Sequence, residues 1–153
     1  MKNSDPSIAK NREAFHDYHI LETVEAGIAL TGTEVKSLRN HHATLQGSFA
    51  RLEKGEVFVY NLHIAPYEHG SIFNPDPMRE RKLLLHRAQI RDLAAKIRSK
   101  GLTLIPLSLY FKVGIVKIEL GLAKGKRKYD KREALKKRDH TREMQQALKT
   151  KRG

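Results

Sequence analysis

The chain has 153 residues, with 30 Lys and Arg against 17 Asp and Glu, and its formal net charge at pH 7 is +13. This length suits one domain with a single hydrophobic core, and the charge favours RNA, DNA or an anionic membrane as the partner. The absence of cysteine excludes disulfides, zinc ribbons and thiol catalysis. With no signal peptide and no 18-residue apolar run, we expect a cytoplasmic protein that does not span a membrane.

The first half of the chain is predicted to begin with loose polar residues and one long strand. Residues 1–10 are polar and carry no periodic pattern, whereas apolar side chains alternate along 18–28. A break in the alternation follows, and residues 33–40 then favour a short helix. Either Thr31 or Thr33 provides the hydroxyl for its N-cap.

A hairpin and a long loop follow this helix. Residues 45–52 and 57–64 have the alternating pattern of two strands, and Lys54 and Gly55 between them are typical of a tight turn. Prolines and a glycine interrupt residues 65–79, which argues against any strand in that segment.

The clearest helical periodicity covers residues 81–100, where apolar residues recur at spacings of three and four. Gly101 follows at the position that suits a helix C-cap. The helix could also begin only near His86, with 83–85 entering the core as extended chain. Both starts remain open from the sequence.

Two further strands, 102–113 and 115–122, form a second predicted hairpin around Gly114. The chain thus has five or six short strands joined mostly by hairpins, with two to three helices among them. This order predicts a mainly β fold with α, a small OB-type antiparallel β-barrel. Fold alone does not determine function.

The C-terminal segment differs sharply from the rest of the chain. Residues 123–153 contain 13 Lys and Arg against four Asp and Glu, a net +9, whereas residues 1–122 carry only +4. The segment has too few apolar side chains to offset the entropy of ordering itself. We therefore predict a folded body, 1–122, and a basic tail, 123–153, that is disordered when free and ordered on a polyanion.

Two candidate ligand sites are weak. The segment 121–126 resembles a phosphate loop but is one residue short between its glycines, and Arg127 replaces the magnesium-binding Ser or Thr. The adjacent pair His41 and His42 has no carboxylate at a usual metal-ligand spacing. We predict a hinge for the first segment and a solvated or RNA-facing pair for the second, with no metal and no cofactor.

No arrangement of residues in the sequence matches a known catalytic site. His86, Asp92 and Ser99 all fall in one predicted helix, so they cannot adopt the orientation of a catalytic triad. Glu22 and Glu25 lie on opposite faces of a strand and cannot work as paired carboxylates. The prediction is that the protein is not an enzyme.

Several motifs resemble one known family. The most specific are GTEVKSLR at 32–39 and RKLLLH at 81–86, and further matches occur at Asn11-Arg12, Tyr18, Ile20, Glu22, 25–28, Leu30, Arg79, Lys100-Gly101, Thr103, Pro106, Gly125-Lys126 and 130–132. In this order they resemble the SsrA-binding protein family (SmpB), from about residue 10 to the C-terminus. The departures are His41-His42 in place of a glycine-containing turn, the 74–77 loop, and Tyr129 where His is common.

The resemblance implies a role in trans-translation, the rescue of ribosomes stalled on messages without a stop codon. Family members have an OB-like barrel that binds the tRNA-like domain of transfer-messenger RNA (tmRNA, or SsrA RNA). Their tail folds as a helix in the ribosome and senses the empty mRNA channel and decoding centre. The partners implied are tmRNA, the ribosome and, indirectly, elongation factor Tu, which with the ribosome performs the chemistry.

Functional residues carried over from the resemblance fall in two groups. In the body, Glu25 would accept hydrogen bonds from base or ribose, and the basic residues would contact phosphates; these RNA contacts are Asn11, Glu25, Gly27, Lys36, Arg39, Arg81 and Lys82. In the tail, Asp130 would cap the helix, and the ribosome-facing residues are Lys124, Lys126, Tyr129, Asp130, Lys131, Arg132, Lys136, Lys137 and Arg138. A ribosomal structural protein with a basic extension is the alternative class.

Overall fold

A computed structural model describes residues 7–125, which form nine strands, three α-helices and one 3₁₀ turn. In chain order these are β1 (Ser7–Lys10), α1 (Arg12–Asp17), β2 (Tyr18–Ile28), α2 (Gly32–Arg39), β3 (Ala43–Thr44), β4 (Phe49–Glu53), β5 (Glu56–Tyr60), β6 (His63–Ile64), the 3₁₀ turn (Ser71–Phe73), β7 (Arg81–Leu84), α3 (Arg87–Lys100), β8 (Thr103–Lys112) and β9 (Ile115–Gly125). None of the helices in this part of the chain has the length and apolar composition needed to cross a bilayer.

Seven strands form one antiparallel sheet in the order β1-β8-β4-β5-β7-β2-β9. Because β9 also pairs with β8, the ladder from β8 through β4, β5, β7 and β2 to β9 returns to its start. The seam between β4 and β8 is short, with Ala50 opposite Leu104 as its register pair. β3 and β6 form a separate two-stranded sheet. This mainly β, antiparallel architecture agrees with the predicted fold class.

The hydrophobic core lies inside this closed ladder. Fully buried side chains come from strands and loops throughout the described chain, among them Leu45, Leu62, Leu83, Leu109, Ile118 and Leu120. Removing such aliphatic surface from water contributes roughly 25 cal/mol per Å². The alternation read from the sequence at 18–28 corresponds to β2, so that prediction is confirmed.

The helix α2 begins where one of the two predicted N-caps placed it. The Thr31 hydroxyl accepts from the Glu34 N–H at 3.3 Å, and the Glu34 carboxylate accepts from the Thr31 N–H at 2.9 Å. This reciprocal pair is a capping box, which satisfies two backbone donors that the first turn leaves free. Its sequence signature, Thr followed three residues later by Glu, decides for Thr31 over Thr33.

The periodic segment at 81–100 divides into a strand and a helix. Residues Arg81–Leu84 form β7, in which Arg81 and Leu83 are buried while Lys82 and Leu84 are exposed. The helix α3 starts after its N-cap His86 and ends at Gly101, whose φ of 63° is the left-handed C-cap conformation. The earlier start at residue 81 is therefore wrong, because pairing with β5 and β2 holds the first four residues extended.

Four short elements were not predicted: β1, α1, β3 and the 3₁₀ turn. Residues 7–10, expected to be loose, form β1 on the edge of β8, and α1 follows with Asn11 as its N-cap. The predicted strands 45–52 and 57–64 are shorter in the structure, where turns separate them into β4, β5 and the short β6. β1 is only four residues long, too short for an alternating pattern to be recognised in the sequence. Its identity as a strand depends on pairing with β8.

The hairpin between β8 and β9 contains a residue with a strained backbone conformation, and replacing it should stabilise the fold. Val113 has a φ of 51° and is 95% exposed, and the following Gly114 has a φ of 74°. A turn with positive φ at both central residues favours Asn-Gly, whereas a β-branched residue is strained there. We expect Val113→Asn to raise the free energy of unfolding by about 1 kcal/mol.

Urea denaturation would measure this gain. The matched control is Lys54→Asn in the first hairpin, where an unbranched residue has a φ of 50°, so a smaller gain is expected. Because the Val113 side chain is almost fully exposed, no packing is lost by its replacement. Lower stability of Val113→Asn than of the wild type would contradict the strain at this position.

Candidate nucleic-acid interface

Glu25 lies on β2 with its carboxylate held by two side chains of β8. The Tyr110 hydroxyl donates to Oε2, and Lys112 Nζ lies 3.1 Å from Oε1. The hydrogen bonds from Tyr110 and then Lys112 hold the pKa of Glu25 below its ordinary value, so the carboxylate is charged at neutral pH. Burial of Tyr110, together with its bond to Glu25, raises the pKa of the phenol. The exposed carboxylate is thus fixed in position while retaining further lone pairs.

An open groove runs beside Glu25 between β2, β7 and the start of α3. Three predicted RNA contacts, Glu25, Gly27 and Lys82, line it together. Gly27 permits close packing there, since a Cβ at this position would lie 3.2 Å from Leu84 Cβ. Lys82 Nζ is 3.6 Å from a carboxylate oxygen of Glu56, an exposed pair that leaves the ammonium open to solvent.

Sequence reasoning missed other members of this groove. Lys117 lies directly across the ladder from Gly27, and His86 and Arg87 line the far side at the beginning of α3. Arg87 and Lys117 fall outside the matching motifs, whereas His86 ends RKLLLH but was not predicted as an RNA contact. The register of β2 against β9 would have identified Lys117, but a sequence does not give strand register. These residues give the groove a basic rim around the fixed carboxylate of Glu25, and the Glu56 carboxylate lies beside Lys82.

Lys36 and Arg39 lie on the exposed side of α2, as phosphate contacts require. Lys36 Nζ is 5.5 Å from the centre of the Tyr67 ring, within the range of a cation–π interaction. Arg39 is one helical turn further along, in the last turn of α2. Both cations are therefore open to a phosphate from solvent.

Asn11 has an internal role that sequence reasoning did not assign. Its side chain is 5% exposed, donates from Nδ2 to the Pro106 carbonyl at 3.0 Å, and accepts from the Ala14 N–H at 3.3 Å. The residue caps α1 and joins it to β8. The structure therefore corrects the expectation of a direct RNA contact, because both polar atoms of the amide are engaged inside the fold.

Arg81 is likewise unavailable to a phosphate. Its side chain is completely buried, with Nε 2.7 Å from Glu34 Oε2 and Nη1 2.7 Å from the Leu62 carbonyl. The remaining donors reach the Arg79 and Pro77 carbonyls and the same carboxylate. All three nitrogens of the guanidinium thus donate hydrogen bonds inside the fold, and Nη2 also lies 2.6 Å from Glu34 Oε2. The predicted phosphate contact is corrected to a structural ion pair.

This ion pair joins the two distinctive motifs of the sequence. Glu34 belongs to GTEVKSLR and accepts from Arg81 of the RKLLLH block and from Arg79, whose Nη2 lies 2.6 Å from Oε1. Burial alone would raise the pKa of Glu34, but the hydrogen bonds from Arg79, the Thr31 N–H and Arg81 outweigh burial and lower it. The carboxylate is therefore ionised and fastens α2 to β7.

The remaining candidates from the sequence do not form catalytic or metal sites. Within residues 7–125 no three His, Asp or Glu side chains come together as metal ligands. Lys96 Nζ lies 2.9 Å from Asp92 Oδ2 and 2.7 Å from Glu22 Oε1. Both carboxylates therefore have a structural partner in Lys96. Residues 121–125 are part of β9, with Gly121 against Leu107, so the hinge predicted for this segment is wrong over its described residues.

The predicted tail is represented by its first residues only. Lys124 is half-buried in β9 opposite His19, and the strand continues to Gly125, three residues beyond the expected end of the body. The other predicted tail positions lie outside the described residues: Lys126, Tyr129, Asp130, Lys131, Arg132, Lys136, Lys137 and Arg138.

Comparison with known proteins gives the family. A family model described as SmpB protein matches residues 8–150, nearly the entire chain. The chain belongs to the SmpB protein family. Among its relatives, the SsrA-binding protein of Carboxydothermus hydrogenoformans is 61% identical over 142 residues, covering 93% of this chain and 95% of that protein. The SsrA-binding protein of Geobacillus kaustophilus is 54% identical over 148 residues, covering 97% and 96%.

A solved structure has the same fold and a similar sequence. It is described as "tmRNA-SmpB: a journey to the center of the bacterial ribosome", and one of its chains is 56% identical to this chain. The TM-score is 0.67, and the match covers 86% of this chain and 95% of the solved one. The family resemblance drawn from GTEVKSLR and RKLLLH is thereby confirmed, and the family is one of RNA-binding proteins.

Proposed function

We propose that this chain is an RNA-binding factor of trans-translation, which binds tmRNA and delivers it to stalled ribosomes. The observation that carries the proposal is the 61% identity, over almost the full length of both chains, to a protein named for binding SsrA RNA. Its partners are the tRNA-like domain of tmRNA and the ribosome, with elongation factor Tu as an indirect partner. The protein acts in the cytoplasm and catalyses no reaction itself.

The geometry of the body supports RNA binding at the groove beside Glu25. The basic rim of Lys82, Arg87 and Lys117 supplies phosphate contacts, which position an RNA without reading its sequence. Glu25 supplies a fixed acceptor for a base or ribose donor, held by Tyr110 and Lys112. The basic tail engages the ribosome at the decoding centre and in the empty mRNA path.

The experiment that tests the proposal is a gel-shift titration of tmRNA against an ordinary tRNA at several salt concentrations. We expect tighter binding of tmRNA at every concentration, with log K falling linearly with log salt by about 0.7–0.9 for each neutralised phosphate. Equal affinity for both RNAs would contradict the proposal. Constant association with all ribosomes, independent of tmRNA, would favour a ribosomal structural protein.

The same titration examines the contact residues in the groove. Glu25→Ala should weaken tmRNA binding severalfold and lower the melting temperature only slightly, because the carboxylate and its bonds to Tyr110 and Lys112 lie at the surface. Glu119→Ala, on the neighbouring strand at the paired register position, is the matched control. Unchanged affinity of Glu25→Ala would remove Glu25 from the proposed contacts while leaving the proposed function intact.

A further inference from the structure

Two large apolar side chains project from the loop after β6. Ile72 is 87% and Phe73 is 75% exposed, and both lie on the 3₁₀ turn Ser71–Phe73. Single exposed apolar residues are common on protein surfaces. An adjacent pair of apolar side chains exposed to this extent is a surface suited to a partner.

The loop holds Phe73 in a defined place. The Phe73 N–H donates to the Gly70 carbonyl at 2.9 Å, and its carbonyl accepts from the Thr33 hydroxyl at 3.3 Å. The Asn74 amide both accepts from and donates to the backbone of Tyr67, at 2.9 and 2.8 Å. A Cβ on Gly70 would lie only 2.7 Å from Asn74 Oδ1, so this clamp requires glycine. The aromatic ring is therefore presented by an ordered loop.

Cations and further aromatic rings lie on the two segments that contact this turn, α2 and residues 67–70. Thr33, which binds the turn, is followed one helical turn later by Lys36, whose ammonium lies 5.5 Å from the Tyr67 ring centre. Tyr67 packs edge-on against His69 at 5.4 Å, and Arg39 continues the exposed basic side of α2. Glu68 is the acidic neighbour, 4.0 Å from His69. Aromatic rings beside Lys and Arg are the combination that binds unpaired nucleotides.

We propose that Phe73 stacks on an unpaired base of the bound RNA, while Lys36 and Arg39 contact the adjoining phosphates. The inference rests on the proposed function and adds a second contact surface to the groove beside Glu25. The cations attract a polyanion, and an aromatic face accepts any base, so this surface strengthens binding chiefly by stacking. A purely apolar protein partner would not need the two cations.

The absence of tryptophan from the chain permits a direct test. In Phe73→Trp the only tryptophan lies in the proposed stacking position, and its emission should be quenched when tmRNA is added. Phe73→Leu keeps an apolar side chain but removes the ring, and we expect it to weaken tmRNA affinity by about fivefold to a hundredfold, the range for one stacked base. Phe73→Tyr should bind like the wild type.

Salt dependence separates the two kinds of contact. Phe73→Leu should keep the wild-type slope of log K against log salt, whereas Lys36→Met should reduce it by about 0.7–0.9, the value for one phosphate. Val113→Ala, which alters another highly exposed apolar side chain (95%), is the control, and both its tmRNA affinity and its salt slope should match the wild type.

Wild-type affinity of Phe73→Leu together with unquenched Phe73→Trp would overturn the inference, provided that the wild-type protein binds tmRNA. Loss of ribosome binding with unchanged tmRNA affinity would overturn it as well and would assign the surface to a contact with the ribosome. Failure of the wild-type protein to prefer tmRNA over tRNA would instead contradict the proposed function.

Discussion

Deletion of residues 126–153 is expected to abolish peptide tagging on stalled ribosomes while leaving tmRNA affinity nearly unchanged. The reason is the division of charge along the chain, since residues 123–153 carry +9 and residues 1–122 only +4. The groove proposed to bind tmRNA lies entirely within the described body. A tail that acts only in the ribosome contributes little to the complex in solution.

The deletion must begin at residue 126, because β9 extends to Gly125. Ala123 is fully buried and pairs with both Ile20 and Thr103, so β9 extends beyond the boundary that charge alone suggests. A protein ending at Gly125 keeps these pairs and should retain the wild-type melting temperature. A protein ending at Leu122 removes the end of β9 and should melt at a lower temperature, which provides the matched control.

The loss of tagging is measured with a reporter translated from a message without a stop codon. The unchanged tmRNA affinity is measured by gel shift. A variant with residues 126–153 in scrambled order has the same charge and separates a specific tail from general attraction to RNA. We expect the scrambled protein not to support tagging. Severe loss of tmRNA affinity on deletion of 126–153 would contradict the separate roles of body and tail.

The helix ends and the tight turn could be predicted from the sequence, because each depends on residues only a few positions apart. The capping box at Thr31 and Glu34 and the glycine C-cap at Gly101 are both encoded within a few positions. The Lys54-Gly55 turn was predicted for the same reason. For β7 the sequence left both a helical and an extended conformation open, because its leucines continue the spacing of α3, and only pairing with β5 and β2 selects the extended form.

The contact residues were harder to predict because burial is a long-range property. Arg81 looked like a phosphate contact, but its carboxylate partner is 47 residues away in sequence. The Asn11 amide similarly reaches Pro106, 95 residues away. A family motif can therefore reflect the demands of the fold as well as those of binding. Glu25, Gly27 and Lys82, by contrast, do share one groove.

The second large effect concerns the buried ion pair between Glu34 and Arg81. We expect Glu34→Gln to lower the free energy of unfolding by about 3–5 kcal/mol, since it leaves the buried guanidinium without a charged partner. Gln keeps the size of the side chain and an acceptor for the Thr31 N–H, so the capping box survives. The change therefore tests the charge of Glu34 with little disturbance of α2.

Thr31→Ala is the matched control, because it removes the other half of the capping box and leaves the ion pair in place. Its expected cost is only about 1 kcal/mol. Adding Arg81→Met to Glu34→Gln should restore part of the lost stability, since the orphaned charge is then gone. Urea denaturation compares the four proteins. If Glu34→Gln lowers the free energy of unfolding by less than Thr31→Ala does, the ion pair does not fasten α2 to β7.

The pH dependence of this effect follows from the lowered pKa of Glu34. Because the folded pKa lies below the ordinary value of 4.5, the carboxylate contributes its full stabilisation above that pH. As the pH falls through the folded pKa, Glu34 becomes protonated and resembles Gln. The stability gap between the wild type and Glu34→Gln should thus be constant from about pH 6 to 8 and narrow in acid below about pH 4.5. Added salt should change it little, because a buried pair is poorly screened. A gap that stayed constant in acid would mean that the loss arises from packing and not from the charge.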